Sequence, residues 1–230
     1  MHMKKILIVL IAVLLVQWKM SAQSTRKVDN FVAVYAGGSV RVELIPASSC
    51  KVEFTMIKGS ESDLITEVSG GQLKIKIKNG LMGASNAKAD VKVYYTQLEE
   101  VEAAAGASVS GKSTIQSRNL EVSCSSGARI SLSVSSDIVK LEGSSGSNTA
   151  LSGVVKEKLN VSSSSGAKVD ASSLESKAVY ASASSGSNIK VWARERLDAD
   201  ASSGGRVSYK GDPKDKNFET GMSGGNVSKM

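Results

Sequence analysis

Carboxylates are the residues of this chain best placed to do chemistry. Asp198 and Asp200 stand two apart in a segment of alternating apolar and polar residues, with Lys190, Arg194 and Arg196 close in sequence and Asp170 further upstream. On a strand, residues i and i+2 share a face about 7 Å apart, within the range over which glycoside hydrolases space their paired acids. A carbohydrate-active enzyme, lyase or hydrolase, is therefore one reading, and solvated charges on an outer sheet face are the plainer one. Other catalytic chemistries lack their parts. The single histidine is His2, which signal peptidase would remove, so Ser/His and Cys/His nucleophiles and most zinc chemistry have no imidazole to use. Calcium-binding nonapeptide repeats need Asp just after their glycines, where this chain has Arg, Lys, Asn or Ser. Glycine pairs such as Gly204-Gly205 precede no helix, so no phosphate-binding loop is read from them. No catalytic residue, metal site or cofactor is expected.

The elements that must position these residues are set by a repeat. Gly106, Gly127, Gly146, Gly166, Gly186, Gly204 and Gly224 follow one another at steps of 21, 19, 20, 20, 18 and 20 residues. A fixed period of this kind marks stacked, quasi-one-dimensional architecture. Three residues after each Gly stand Val109, Ile130, Thr149, Val169, Ile189, Val207 and Val227, all β-branched and suited to a pleated surface. Small residues occupy the positions one and three before it, as in Ser165 and Ser163 or Ser185 and Ala183. Because strand side chains alternate faces, the sequence predicts an inward face reading Leu159, Val161, Ser163, Ser165, Ala167, Val169, Ala171, with Asn160, Lys168, Asp170, Lys190 and Trp192 outward. The Gly then reads as a bend between two short strands of one coil. A serine ladder on that face is expected to be structural, its hydroxyls bonded along the column or to nearby carbonyls.

The period is too short for a strand, a helix and two connections, and helical 3.6-residue spacing of apolar residues is missing. An all-β chain, a parallel β-helix or β-solenoid with coils of about 20 residues, is what remains. Aromatics at 4% and 21 glycines agree with a slender core.

Two residues after each Gly lies a polar column that alternates in character: Arg129, Asn148, Lys168, Asn188, Arg206, Asn226. Basic residues on every second coil would sit about 9.6 Å apart, two strand spacings, which limits like-charge repulsion. The functional reading is a stripe of donors suited to a repetitive anionic or polyhydroxyl polymer, with Tyr180 and Trp192 as outward stacking platforms.

Lys4 and Lys5 precede an apolar run from Ile6 to Val16, and Ser21-Ala22-Gln23 follows. This is a signal-peptide pattern over residues 1–23, whose apolar run from Ile6 to Val16 is too short to span a bilayer, and no second apolar segment would hold the mature chain in a membrane. The formal net charge of +7 falls to +4 with the loss of Lys4, Lys5 and Lys19. That mild, dispersed excess without a basic patch of interleaved aromatics gives no nucleic-acid partner. Cys50 and Cys124 are read as two free thiols, since Cys124 falls in an inward small column where a thiol acts as apolar filler.

Residues 24–230 read as one β-helix domain, with regular coils over 98–230 and longer, less regular ones over 24–97. There, Val34 to Val40 and Ser69 to Leu73 fit the same columns, and Lys78 to Asp90 is an excursion without periodicity. No evident cap covers the last coil. Open strand edges invite pairing, so the sequence predicts either a cover from the N-terminal segment or homo-oligomers through coil ends.

The strand pattern Leu73-Lys74-Ile75-Lys76-Ile77, then Val91-Lys92-Val93-Tyr94-Tyr95, then Leu98 through Val109, followed by serial Ser-Ser-Gly-Ala/Ser units, resembles the auto-transporter adhesin, head-GIN domain family over about residues 28–228. The resemblance implies a right-handed β-helix-like fold, an envelope or exterior location in Bacteroidetes-type bacteria and no established activity. It carries over no catalytic or binding residues. The expected function is that of an exported, noncatalytic protein of the periplasm, outer-membrane surface or exterior. Its expected role is adhesin-like or scaffolding, with a glycan or cell-surface protein as partner; a carbohydrate-active enzyme and a structural assembly unit are the alternatives.

Overall fold

A computed structural model of the chain describes residues 23–78, 86–221 and 223–230. The expected signal peptide lies outside the described residues except for Gln23, as does His2. The described residues form one sheet system of 16 strands wound into a β-solenoid of about 6 turns. Among them, no helix is long and apolar enough to cross a membrane.

The regular coils are long parallel strands: β9 (Ser108–Cys124), β10 (Arg129–Gly143), β11 (Asn148–Ser163), β12 (Lys168–Ala183) and β13 (Asn188–Ala201). Each runs from just after one glycine turn to just before the next. A register shift partway along bends it, such as that between Ser136 and Ile138 where β10 meets β11. A coil is thus one bent strand and one turn, not two short strands joined at the glycine. At the bend, the buried Ser136 hydroxyl lies 3.0 Å from the Arg118 carbonyl and 2.9 Å from that of Ile138, so its one proton serves a carbonyl that the bend removes from the ladder.

The glycine turn differs from the predicted one in a single column. Leu159, Val161, Ser163, Ala167, Val169 and Ala171 are buried as expected, but Ser165 is exposed, and so are its equivalents Ala105, Ser126, Ser145, Ser185 and Ser203. These residues have φ between 48° and 52°, and the glycines after them φ between 70° and 80°. Two consecutive positive φ values at the centre of a turn are those of type I′, and Ala128 N–H closes it on the Ser125 carbonyl at 3.0 Å. The turn lifts the residue before the glycine out of the core. The inward hydroxyls come instead from the residue after it: Ser147 donates to the Cys124 carbonyl at 2.8 Å and Ser187 to the Ser163 carbonyl at 2.7 Å.

Successive turns are tied together. Strand amides donate to the preceding coil, as Arg129 N–H does to Ala107 O, whereas the turn glycines donate forward: Gly127 to Ser145 O at 3.1 Å, Gly146 to Ser165 O at 3.0 Å, Gly166 to Ser185 O at 3.1 Å. A Cβ at these glycines would touch nothing within 4 Å, so the requirement is the left-handed backbone alone. At Gly205 it is space, since a Cβ there would lie 2.2 Å from the Ala183 carbonyl oxygen.

The N-terminal part departs from the predicted coils. β2 (Ala33–Gly37) and β3 (Val40–Pro46) do form a coil, pairing in parallel with β8 (Glu100–Ala104) and β9. The next coil in sequence, β6 (Gln72–Ile77) and β7 (Lys88–Tyr95), stacks on the far side of β2 and β3, so spatial order inverts chain order. The Gly70-Gly71 pair is a hairpin tip between β5 (Leu64–Ser69) and β6, with antiparallel register Ser69 to Gln72 and both φ positive. Strand β4 (Lys51–Lys58) adds antiparallel to β7, and β1 (Ser24–Lys27) adds antiparallel to β4. Of the expected excursion, Lys88 to Asp90 belongs to β7 and residues 79–85 lie outside the described residues.

The N-terminal strands therefore cover the end opposite to the last coil. That coil, β14 (Arg206–Lys210), β15 (Asp215–Thr220) and β16 (Asn226–Lys229), carries charge where earlier coils are apolar. The core positions Leu197 and Tyr209 are continued by Lys216 and Lys229. Both ammonium groups approach Asp212, at 3.8 and 3.4 Å, and the Phe218 ring lies 5.6 Å from that of Tyr209. Inward-pointing charges on an edge strand disfavour pairing with another edge.

Two outcomes are expected from these features. Gly186→Ala, strained only in φ, should lower stability by about 1–2 kcal/mol, and Gly205→Ala by more, because the Ala183 carbonyl must move; urea unfolding of the two variants measures the difference. Lys51 and then Tyr94 donate to Glu53, and the Ser60 amide and then its hydroxyl to Asp63, holding both carboxyls below their ordinary values. Folded values below unfolded ones stabilise above the unfolded values and lose that stabilisation as pH falls through the folded ones. Both groups lie in the N-terminal cover, so hydrogen exchange below pH 3.8 should show β1, β4 and β5 losing protection before β10–β12.

Candidate functional site

The six polar residues of the alternating column are stacked by strand register: Arg129 on Asn148, Asn148 on Lys168, Lys168 on Asn188, Asn188 on Arg206 and Arg206 on Asn226. They stand at the start of each strand, immediately after the turn, where the preceding small residue is fixed in the core and the following β-branched residue points inward. Beside them runs a lower column, Ser131, Ala150, Asp170, Lys190. Arg129, Asn148, Lys168 and Asn188 line, with this lower column, an open trough of about 680 Å³, and Arg206 and Asn226 continue the upper column past that lining. The trough's one carboxylate, Asp170, accepts from the Ser172 hydroxyl at 2.6 Å and faces Lys190 at 4.0 Å.

Tyr180 and Trp192 are not part of this column. Tyr180 lies on the pre-turn stretch of β12, stacked between Asn160 and Asp198. Its ring is attended by the Lys158 ammonium at 4.5 Å and the Arg196 guanidinium at 5.7 Å. Trp192 sits further along β13 with the Lys210 ammonium 4.1 Å from its ring. Both rings are engaged by cations of the chain itself.

Charge partners distinguish the stripe from its surroundings. In the regular coils Lys112, Lys140, Lys156, Lys177, Lys190, Arg194 and Arg196 each lie within 4.0 Å of a carboxylate, and Lys158 lies over Tyr180. Arg129, Lys168 and Arg206 are exposed, and among the described residues their side chains have no carboxylate, hydrogen-bond or ring partner. Away from the stripe, Arg118 and Lys214 in the regular coils and Lys27, Lys58, Lys78, Lys88 and Lys92 in the N-terminal part are in the same condition, and what sets the stripe apart is its regular alternation along the stacked coils.

The carboxylates singled out in the sequence fall on two different surfaces. Asp170 is post-turn, whereas Asp198 and Asp200 are pre-turn and line an open trough of about 330 Å³ with Glu142, Tyr180 and Glu219. Asp198 accepts from Arg196 Nε at 2.8 Å, and Asp200 faces the Ser182 hydroxyl at 3.5 Å. Sequence reading missed how acidic this face is: Glu100, Glu102, Glu121, Glu142, Asp198 and Asp200 all fall four or six residues before a turn glycine, and Glu219 pairs beside Asp200. Those two columns carried the signal. Burial first, then the neighbouring Glu100, pushes the Glu102 carboxyl up. No group of three or more metal-ligating side chains is found among the described residues.

Cys124 is buried, its thiol pushed up by burial, and Cys50 is half-buried with Sγ 3.9 Å from the Thr96 hydroxyl. No disulfide joins them.

Among solved structures, a "putative adhesin" from Bacteroides fragilis NCTC 9343 superposes with a TM-score of 0.78 at 16% identity, covering 91% of this chain and 96% of that one. A "putative adhesin" from Parabacteroides distasonis ATCC 8503 gives 0.72 at 16% identity over the same shares. A "putative lipid binding protein" from the same organism gives 0.67 at 18%, again covering 91% and 96%. At such identities the likeness speaks to the fold. The chain matches no curated protein. Residues 30–213, which take in the two outer N-terminal coils, the regular coils and most of the stripe, match the family described as "Putative auto-transporter adhesin, head GIN domain", and the chain belongs to that family.

Proposed function

We propose that the chain is an exported, noncatalytic β-solenoid of the cell envelope or surface that acts as an adhesin-like binding module. The post-turn stripe is its recognition surface, and its ligand a glycan or other repetitive polar polymer. The observation that carries this reading is the unpartnered state of Arg129, Lys168 and Arg206 on a face where neighbouring cations are paired. Exposed charges without partners retain their full field for an incoming anion, and the amides of Asn148 and Asn188 between them offer both donors and acceptors. Family membership supports the adhesin-like role. The charges at the edge of the last coil favour lateral recognition over stacking of ends.

A role as a carbohydrate-active enzyme is less well supported. Its candidate acids are divided between two faces, and Asp198 and Asp170 are engaged by Arg196 and by Ser172 with Lys190.

A glycan array tests the proposal. The wild-type chain without residues 1–23 should retain a set of anionic glycans, and the Arg129→Gln, Lys168→Gln, Arg206→Gln triple variant should lose them while unfolding at the same temperature. An array without a retained ligand, a triple variant that binds as the wild type does, or cleavage products in an oligosaccharide-degradation screen would each overturn it.

A further inference from the structure

The spacing of the stripe narrows the ligand. Arg129, Lys168 and Arg206 occupy every second coil, held in line by a parallel register that runs without a shift through all of the post-turn positions concerned. Their pitch is two strand spacings, about 9.6 Å, and it is fixed by backbone hydrogen bonds rather than by flexible side chains. An extended polysaccharide advances by about this length for each pair of sugar rings. In such chains alternate rings commonly turn the same edge to one side. A polymer with a single anionic group per disaccharide would therefore set one carboxylate or sulfate against each cation, and the intervening ring against Asn148 or Asn188.

From this match, which rests on the stripe being the binding surface, we infer that the ligand is an acidic polysaccharide bearing one charge per disaccharide. Other surface features agree. The trough is lined beside the stripe by the short side chains of Ser131 and Ala150. Aromatic platforms, on which neutral sugars and unpaired nucleobases stack, are not present in the trough, since Tyr180 and Trp192 lie elsewhere with cations on their rings. Recognition here is by charge and amide hydrogen bonds. Single-stranded nucleic acid places its phosphates closer together and would leave its bases without a stacking partner.

The experiment keeps charge constant and breaks the pitch. The paired substitution Lys168→Asn with Asn188→Lys moves the central cation by one coil, and Arg129→Asn with Asn148→Arg does the same at one end. Binding of hyaluronan oligosaccharides, with one carboxylate per disaccharide, is measured against oligogalacturonate of equal ring number, with one per ring, and against a neutral chito-oligosaccharide. The wild type should bind hyaluronan, the neutral oligosaccharide not at all, and affinity for hyaluronan should decline in raised salt as exposed charges are screened. Each swap should weaken hyaluronan binding about fivefold, the effect of misplacing one exposed ion pair, and leave oligogalacturonate binding unchanged.

Equal hyaluronan binding by wild type and both swaps, with circular dichroism showing all three folded, would mean the pitch is not read. That result overturns this inference while leaving the stripe as a binding surface. Tighter binding to single-stranded nucleic acid than to hyaluronan overturns it too. So does salt-sensitive self-association of the protein with no glycan bound, which would assign the stripe to the acidic pre-turn face of a second copy. Loss of the stripe's role altogether is read separately, from an unimpaired triple variant.

Discussion

The hydrogen bond from the turn glycines Gly106, Gly127, Gly146, Gly166 and Gly186 to the carbonyl of the following coil is the contact on which the rest of the solenoid depends. Parallel pairing alone sets the spacing between neighbouring coils but not their register along the strand, and a one-residue slip would turn every inward side chain to solvent. The turn removes that freedom. Because Gly127 donates forward to Ser145 while Arg129 donates back to Ala107, each turn is held from both sides, and its two left-handed residues fit only one register. The strain of a non-glycine residue at φ near 50° is tolerated at the apex, where the side chain is exposed and small. Locked in this way, the coils align their side chains in straight columns: Val139, Leu159, Val179 and Leu197 inside, and the polar stripe outside.

A structure built by stacking must stop somewhere, and its two ends use different physical means. At the N-terminal end the chain doubles back: β5 folds as a hairpin onto β6, β4 runs antiparallel along β7 and β1 antiparallel along β4, so a different hydrogen-bond geometry ends the parallel stack. At the C-terminal end no further strand is added among the described residues. Lys216 and Lys229 occupy positions that are Leu197 and Tyr209 one coil earlier, and they meet at Asp212. Adding another coil over them would bury two ammonium groups, whose desolvation is expensive. Repetition is thus ended by topology on one side and by charge on the other.

Most of the regular part is legible in the sequence because its information is periodic. The β-branched column at Val109, Ile130, Val169, Ile189 and Val207 and the stacking of Arg129 through Asn226 follow from spacing alone. The turn serine escapes such reading because alternation extends smoothly from Ser163 through Ser165 to Ala167, and only the paired positive φ of Ser165 and Gly166 throws the middle residue outward. Gly70-Gly71 resembles a coil bend in sequence for a related reason: both are two-residue left-handed turns, and they differ in whether the flanking strands pair with each other, as β5 and β6 do, or with the adjacent coils. Parity places Tyr180 and Trp192 outward but does not say which side of the bend a residue lies on: Tyr180 falls on the pre-turn stretch, whereas Trp192 follows Asn188 and Lys190 along the post-turn stretch, four residues beyond the stripe.

Ion pairing explains why the stripe stands apart from the rest of the surface. Several cations elsewhere on the rod are matched to acids one coil away: Lys140 to Glu121, Lys156 to Asp137 and Arg196 to Asp215 are each 19 residues apart. A coil-length offset is where any periodic rod would place a partner, and acids at that offset both separate like charges and neutralise them. The stripe has the first effect without the second. Lys168 is flanked by Asn148 and Asn188, and Arg206 by Asn188 and Asn226, so amides stand where acids stand in the other columns. If separating like charges were the only constraint, Asp at these positions would meet it better than Asn. Amides keep the cations apart while leaving each one unneutralised and hydrogen-bond donors between them, which is the arrangement an anionic chain lying along the rod would require.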